Sequence, residues 1–428
     1  MYAIPRNLCN LWMTISYRLV VHMKPSKQNL LVFVLLLLTL GTPRTQPSFQ
    51  NVPITIPVDI TSYGGIILPT RVNNSQPLSF YLDSGASTPF AVNAAKAKAL
   101  GLKLQETLLL GGGAGPNLLE ASHADGLTIA LEHKTFNNQR ALVVSFKEIE
   151  EQFGRPVDGL VGIGLFLNNV VEIDYIGKKL RLYDPQAFVY SGAGASVPLA
   201  LRAGHFFVPA VIDIPSIGKL TGQFVVDTGG CMITVVLTTP FAQRNRLPVA
   251  TQKTILDRSI AGLGGDTTLL VGRANNLELG GSVVPSPLIY ISQDKGGALA
   301  SSEYEGLIGT EILRKFKVIF DYSRRRLILE RNVNFDEPVE YDMSGMSVRA
   351  YGDDFKTFKI YRVLEDSPAG RAGLHWGDVI ERIDGEPASR LTLEQIMQMM
   401  RVPGREYKLG IQRSGETSLV HLTTRRLI

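Results

Sequence analysis

Two stretches of this chain carry the same four landmarks in the same order, and that repetition constrains the fold more than any other feature of the sequence. Residues 66–72 (IILPTRV) are answered by residues 206–212 (FFVPAVI). FYL-Asp83-Ser84-Gly85-Ala86 is answered by FVV-Asp227-Thr228-Gly229-Gly230. Gly159-Leu160-Val161-Gly162 is answered by Gly306-Leu307-Ile308-Gly309, and Ile173-Asp174-Tyr175 by Phe320-Asp321-Tyr322. Asp83 precedes Gly162 by 79 residues and Asp227 precedes Gly309 by 82, while both glycines stand 12 residues before the aspartate of the last landmark. A duplication with halves 49–195 and 196–333 follows.

Both halves read as strands, because short β-branched runs alternate with Gly, Asn, Asp and Pro. Helical spacing is confined to residues 91–100 and 237–245, just after each aspartate motif. Glycine-rich segments, Gly111 to Gly115 and Gly262 to Gly265, fall midway through each half. Neither is followed by Gly-Lys-Ser/Thr, so a hairpin tip is the expectation rather than a phosphate cradle.

An Asp-Ser/Thr-Gly tripeptide alone is an ordinary turn, since Asp caps locally and Gly relaxes the backbone. Two copies at equivalent places, each behind a buried strand, carry more. A twofold between the halves would bring Asp83 and Asp227 face to face. Two carboxylates that close share one proton, which makes one a base and the other an acid. Peptide hydrolysis needs that pair, to deprotonate a water and to polarise a carbonyl.

These residues resemble the aspartic peptidases, in particular the retropepsin-like group with two fused lobes. The resemblance spans about 280 residues in the two halves and is strongest over GLIGTEILRKFKVIFDYSRRRLILE. It implies a mainly β fold, with a six-stranded acid-protease β-barrel lobe used twice. By this likeness Asp83 and Asp227 are the catalytic pair, and the Ser84 and Thr228 hydroxyls bond across the lobe contact. Gly85 and Gly229 support them, Gly162 and Gly309 close the crossing loops, and Gly111, Gly112, Gly113, Gly264 and Gly265 belong to flaps over a polypeptide substrate. No metal or organic cofactor is implied. Ala86 and Gly230 stand where many pepsin-like members place Ser or Thr, which predicts an activity range less acidic than theirs.

Beyond residues 334–340, read as a linker, the texture changes. DSPAGRAGLHWGDVIERIDGE (366–386) resembles a PDZ domain of the bacterial, permuted type, which implies a small α+β domain over 341–428. Leu393, Ile396, Met397 and Met400 keep helical spacing, so 391–401 reads as an amphipathic helix. A groove between this helix and an edge strand takes extended or carboxy-terminal peptide segments by strand addition. Gly345, Met346, Ser347 and Val348 are its candidate carboxylate nest, with Leu393 and Met397 on the helix side. Such a module, tethered by a short linker, would deliver substrate to the cleft.

Three rival readings are weaker. An HtrA-like serine peptidase would need Ser within Gly-Asn-Ser-Gly-Gly, where this chain has Thr228. A non-catalytic peptide-binding protein with a degenerate cleft remains a second reading. A nucleic-acid partner lacks support, because Lys and Arg number 44 against 39 Asp and Glu, and residues 1–46, without an acid, hold the whole excess in Arg6, Arg18, Lys24, Lys27 and Arg44. His123, His133 and His205 lack metal-ligand spacing and read as surface or strand residues. Arg324 to Arg326 read as a solvated turn, and Cys231 as a small buried apolar residue. With Cys9 the only other cysteine, no disulfide framework exists. The apolar run 30–40 behind Lys24 and Lys27 is too short to span a bilayer. It marks 1–48 as a signal peptide, or an anchor tethering an exported, periplasmic or secreted protein to the membrane.

Overall fold

The computed structural model describes residues 52–111, 113, 115, 117–248 and 253–428, so the leader expected over 1–48 and the candidate Gly112 lie outside the described residues. The fold is mainly β, arranged in several sheets. In the first half the strands Ile66–Val72, Leu78–Leu82, Gly159–Val161, Phe90–Asn93, Lys134–Val144 and Leu118–Leu131 pair in that order. The last pairs back onto the first, with Thr70 opposite Leu131 and Val72 opposite Ile129, and closes a six-stranded barrel. Closure leaves these strands without a free edge and buries their inward side chains, among them Leu68, Phe80, Val92 and Ile129.

The second half repeats this with one interruption. His205–Ile214, Gly218–Val226, Gly306–Ile308, Val235–Leu237 and Leu288–Ser292 follow the same order. The counterpart of the long strand 118–131 is split into Leu269–Arg273 and Asn276–Leu279, and the second piece closes onto residues 211–213. Its hairpin partner is split likewise, into Ser282–Pro285 and Leu288–Ser292. Pro287 falls in that gap, where it has no N–H to give to a ladder.

A six-stranded sheet joins the halves. Its order is Ile54–Pro57, Lys179–Tyr183, Val170–Asp174, Phe316–Asp321, Arg326–Arg331 and Ala195–Pro198, so each half gives three strands in mirrored sequence. The central antiparallel pair sets Val171 opposite Phe320 and Ile173 opposite Val318, which places a local twofold at Glu172 and Ile319. Phe166 of the first half sits edge-on to Phe320 at 4.7 Å and to Phe206 at 5.7 Å, an aromatic cluster shared by both lobes. The turn after this pair is exposed at Arg324 and Arg325, as expected, while Arg324 and the half-buried Arg326 also hold an acid. Both close on the fully buried Asp321, at 3.3 and 2.9 Å, because a carboxylate withdrawn from water needs a counter-charge.

Residues 334–340 do not form a loose tether. Phe335 stacks edge-on to Phe316 at 5.4 Å, beneath the Arg331 guanidinium at 4.2 Å. The buried Lys315 ammonium donates to the Phe335 and Glu337 carbonyls. The carboxy-terminal domain has its own sheet, ordered Met346–Tyr351, Thr357–Val363, Val379–Ile383, Glu406–Arg413 and Glu416–Thr423, and its own core around Phe358, Tyr407 and Ile411. Its helix Leu393–Met399 starts at a Thr392/Gln395 capping box and buries Leu393 and Ile396. The domain is docked on both lobes: Arg401 pairs with Glu311 at 3.1 Å, Tyr341 donates to Asp257 at 2.7 Å, and Glu394 accepts from the Ser62 amide. Among the described residues no helix is long and apolar enough to cross a membrane.

Candidate active site

Asp83 and Asp227 stand at the ends of equivalent strands, Leu78–Leu82 and Gly218–Val226. Each aspartate amide donates to the parallel neighbour strand, Asp83 to Val161 O at 2.9 Å and Asp227 to Ile308 O at 3.0 Å. Each carboxylate then accepts from the amide two residues on, Gly85 and Gly229, both at 2.9 Å. This local turn follows from the Asp-x-Gly order itself.

Below the aspartates the two loops are cross-linked by four hydrogen bonds. The Ser84 amide donates to Thr228 Oγ1 at 2.9 Å and the Thr228 amide to Ser84 Oγ at 3.0 Å. The Ser84 hydroxyl donates to Val226 O at 2.7 Å, and the Thr228 hydroxyl to Leu82 O at 3.0 Å. Both side chains are buried, and the amide and hydroxyl of each are satisfied by the other lobe.

The glycines make the approach possible. A Cβ on Gly229 would lie 2.3 Å from Asp83 Cγ, and one on Gly85 would lie 2.6 Å from Asp227 Oδ1. Gly162 and Gly309 close the loops behind, donating to Pro89 O at 2.9 Å and Thr234 O at 2.8 Å. Their own Cβ positions are filled by Thr88 O and by Ile233 with Gly230 O. Burial, reinforced by the neighbouring Asp227 charge, pushes the Asp83 carboxyl up to about 8. Burial raises Asp227 too, against the Gly229 and Gly230 amides that favour its charge.

The glycine-rich segments occupy two hairpins whose tips meet. Gly264 O accepts from the Asn117 amide at 3.1 Å, and Gly115 lies so close that a Cβ would be 2.5 Å from Gly264 O. Gly111, which ends the strand Leu108–Gly111, and Gly113 have nothing near their Cβ positions, so the contact falls at Gly115 rather than at them. Gly264 and Gly265 are buried in the small hairpin of Ala261–Gly262 with Gly265–Asp266. Leu263 at its tip crosses to the first lobe and packs in the cluster containing Tyr81 and Phe153.

Several neighbours of the pair were not legible as such. His205 begins the strand His205–Ile214 and lies near enough for its charge to favour that of Asp227. Tyr304, stacked on Phe207 at 5.9 Å, feels the Asp227 charge. The Asp227 loop also carries Met232, whose left-handed backbone (φ 67°) has no counterpart in the first loop. Cys231 is buried, and burial raises its thiol far above the ordinary range, which suits an inert apolar residue.

In the carboxy-terminal domain, Gly345, Met346, Ser347, Val348 and Met397 line a cavity of about 670 Å3 that touches neither aspartate. Leu393, expected on the groove wall, does not line it, because Gly154 of the first lobe covers it. Two amides of the expected nest are engaged internally, Gly345 on Asp342 at 2.6 Å and Met346 on the Ser344 hydroxyl at 3.1 Å.

A family model described as aspartyl protease matches residues 68–165, and one described as PDZ domain matches residues 336–412. Among curated proteins, a probable CtpA-like serine protease of Staphylococcus haemolyticus is 25% identical over 128 residues, 30% of this chain. The matched stretch spans 24% of that protein's length.

Proposed function

From the premise of an aspartyl protease domain joined to a PDZ domain, we propose that the protein is an aspartic endopeptidase acting through Asp83 and Asp227. The observation that carries this reading is the mutual approach of the two carboxyls through the spaces left by Gly85 and Gly229. At that separation the pair holds one proton over the neutral range. The charged member takes a proton from water as its oxygen attacks the peptide carbonyl carbon, while the protonated member gives its proton to the carbonyl oxygen. Collapse of the tetrahedral intermediate then breaks the C–N bond, with a proton passed to the leaving amine. The hairpins around Gly115 and Gly264 serve as flaps, and the PDZ domain binds peptide segments. The apolar run 30–40 supports export.

A serine mechanism at the same loops is disfavoured, since Ser84 is buried and its hydroxyl is committed to Val226 O and the Thr228 amide. The test is hydrolysis of an unfolded protein. Asp83→Asn and Asp227→Asn should each lose activity by about a thousandfold or more, and the double variant should be scarcely worse, as for groups acting as a unit. Full activity in either single variant would overturn the aspartic mechanism. A wild-type chain that binds the substrate and never cuts it would favour the non-catalytic peptide binder.

A further inference from the structure

The peptide groove of the PDZ domain faces the protease lobes, and one end of it is filled. The first-lobe helix Lys147–Phe153 packs along the edge strand Met346–Tyr351. Its terminal Gly154, left-handed at φ 65°, is so close that a Cβ would lie 2.6 Å from Leu393 Cβ and 3.3 Å from Ala350 Cβ. Those two residues belong to the opposite walls of the groove. The other end, at Gly345–Val348, opens on the cavity of about 670 Å3, walled opposite by residues 256–260 of the second lobe and by Met232. Two buried polar atoms of this strand, Ser347 Oγ and Arg349 Nε, have no hydrogen-bond partner among the described residues, and Arg349 is only 5% exposed.

The same elements hold the second-lobe hairpin. Asp266 accepts from Arg349 at 2.7 Å, from Arg362 at 3.1 Å and from the Tyr361 hydroxyl at 2.5 Å. On the first-lobe side, the Ala261 amide donates to Gln152 Oε1 at 2.6 Å. Gln152 lies on the helix that fills the groove. One helix therefore touches both groove and hairpin, and one acid ties the hairpin to the groove strand.

We propose that the first-lobe helix Lys147–Phe153 occupies the PDZ groove in cis, and that a carboxyl-terminated peptide entering at Gly345–Val348 displaces it and releases the Ala261–Asp266 hairpin. The ligand is a free chain terminus with an aliphatic last residue. Its carboxylate meets the unpartnered Ser347 hydroxyl and Arg349 Nε–H, and its side chain meets Val348, Ile396 and Met400. An added strand advances about 3.3 Å per residue, so it reaches Gly154 opposite Ala350 within three to four residues of its terminus. Longer capture then requires the helix to leave, and binding energy drives that change because only the vacated groove accepts the strand. The cavity wall at Met232 brings the same event to the Asp227 loop. The consequence for hydrolysis rests on the peptidase reading, whereas the competition does not.

The experiment is hydrogen exchange on the full chain, with a hexapeptide ending in leucine as the free acid and as the carboxamide. The free acid should speed exchange at 147–154 and 258–266 about fivefold or more, within the usual range of coupling between sites, and the amide should not. Asp266→Asn should speed exchange at 258–266 without peptide. Unchanged exchange in both segments at saturating free acid, whether the peptide binds or not, overturns the proposal. In parallel, cleavage of a short amidated reporter peptide should rise about fivefold with the free acid. An exchange response without hydrolysis under any condition supports the competition and overturns the peptidase reading. Hydrolysis that never responds, with exchange unchanged, does the reverse.

Discussion

Gly85 and Gly229 are small so that two acids can be neighbours, and that proximity has a thermodynamic signature. Both carboxyls hold their protons more firmly folded than at the ordinary value of 3.8, Asp83 up to about 8. Between about pH 4 and pH 8 the folded pair therefore binds more protons than the same two groups unfolded, and its contribution to stability falls as pH rises through that window. Asp83→Asn keeps an oxygen for the Gly85 amide and removes the titration. Its melting temperature should fall less than that of the wild type from pH 4 to pH 8, and should exceed it at pH 8. Parallel curves would show that burial does not raise the pair. At this scale the repeat made Asp83, Asp227, Ser84 and Thr228 legible, because equivalent positions in two like halves meet at a twofold. His205 and Tyr304 were not legible, since only barrel closure brings the start of one strand and a distant loop beside Asp227.

Among elements, the helices Ala94–Ala99, Thr239–Arg244 and Leu393–Met399 were visible through apolar spacing or capping residues. The helix Lys147–Phe153 was not. Only Ile149 and Phe153 give it an apolar face, and the rest of KEIEEQF is polar, so its tertiary partners rather than its pattern hold it in place. The hairpin Phe316–Asp321 with Arg326–Arg331 illustrates the same limit. Its alternation announced a hairpin, but nothing local says that the basic turn bends back onto Asp321. Removing Arg326 leaves the buried charge with Arg324 at the longer distance as its counter-charge, beside the Ser323 hydroxyl that donates to it at 2.6 Å. Arg326→Met should cost about 1–3 kcal/mol, read from the urea midpoint, and adding Asp321→Asn should recover part of it. An unchanged midpoint would mean that Asp321 does not depend on this arginine.

For the whole molecule, the sequence suggested a module on a tether, and the structure has one bolted to both lobes. The difference lies in side chains far apart in sequence, such as Arg349 with Asp266 and Arg401 with Glu311, which no local pattern encodes. Truncation after Asn334 would strip Phe335 from Phe316, leave Lys315 short of two carbonyl acceptors, and deprive Asp257, Asp266 and Glu311 of partners. The melting temperature should fall by roughly 5 °C or more, the equivalent of one to a few kcal/mol for a domain of this size. A truncated chain that melts with the full one would restore the tether.

The sheet at the twofold also dictates an order of events during synthesis. Its central strands, Val170–Asp174 and Phe316–Asp321, leave the ribosome far apart, so the nascent first half travels with one bare strand edge. Through that interval Asp83 has no partner, and when Asp227 emerges its loop still awaits Gly309 and the last hairpin. The half-made chain is thus a pairing hazard in which the two acids have not yet met. Arg349 and Arg362, which tie down the second-lobe hairpin, emerge later than both acids, so that hairpin is fixed only after the two loops have met.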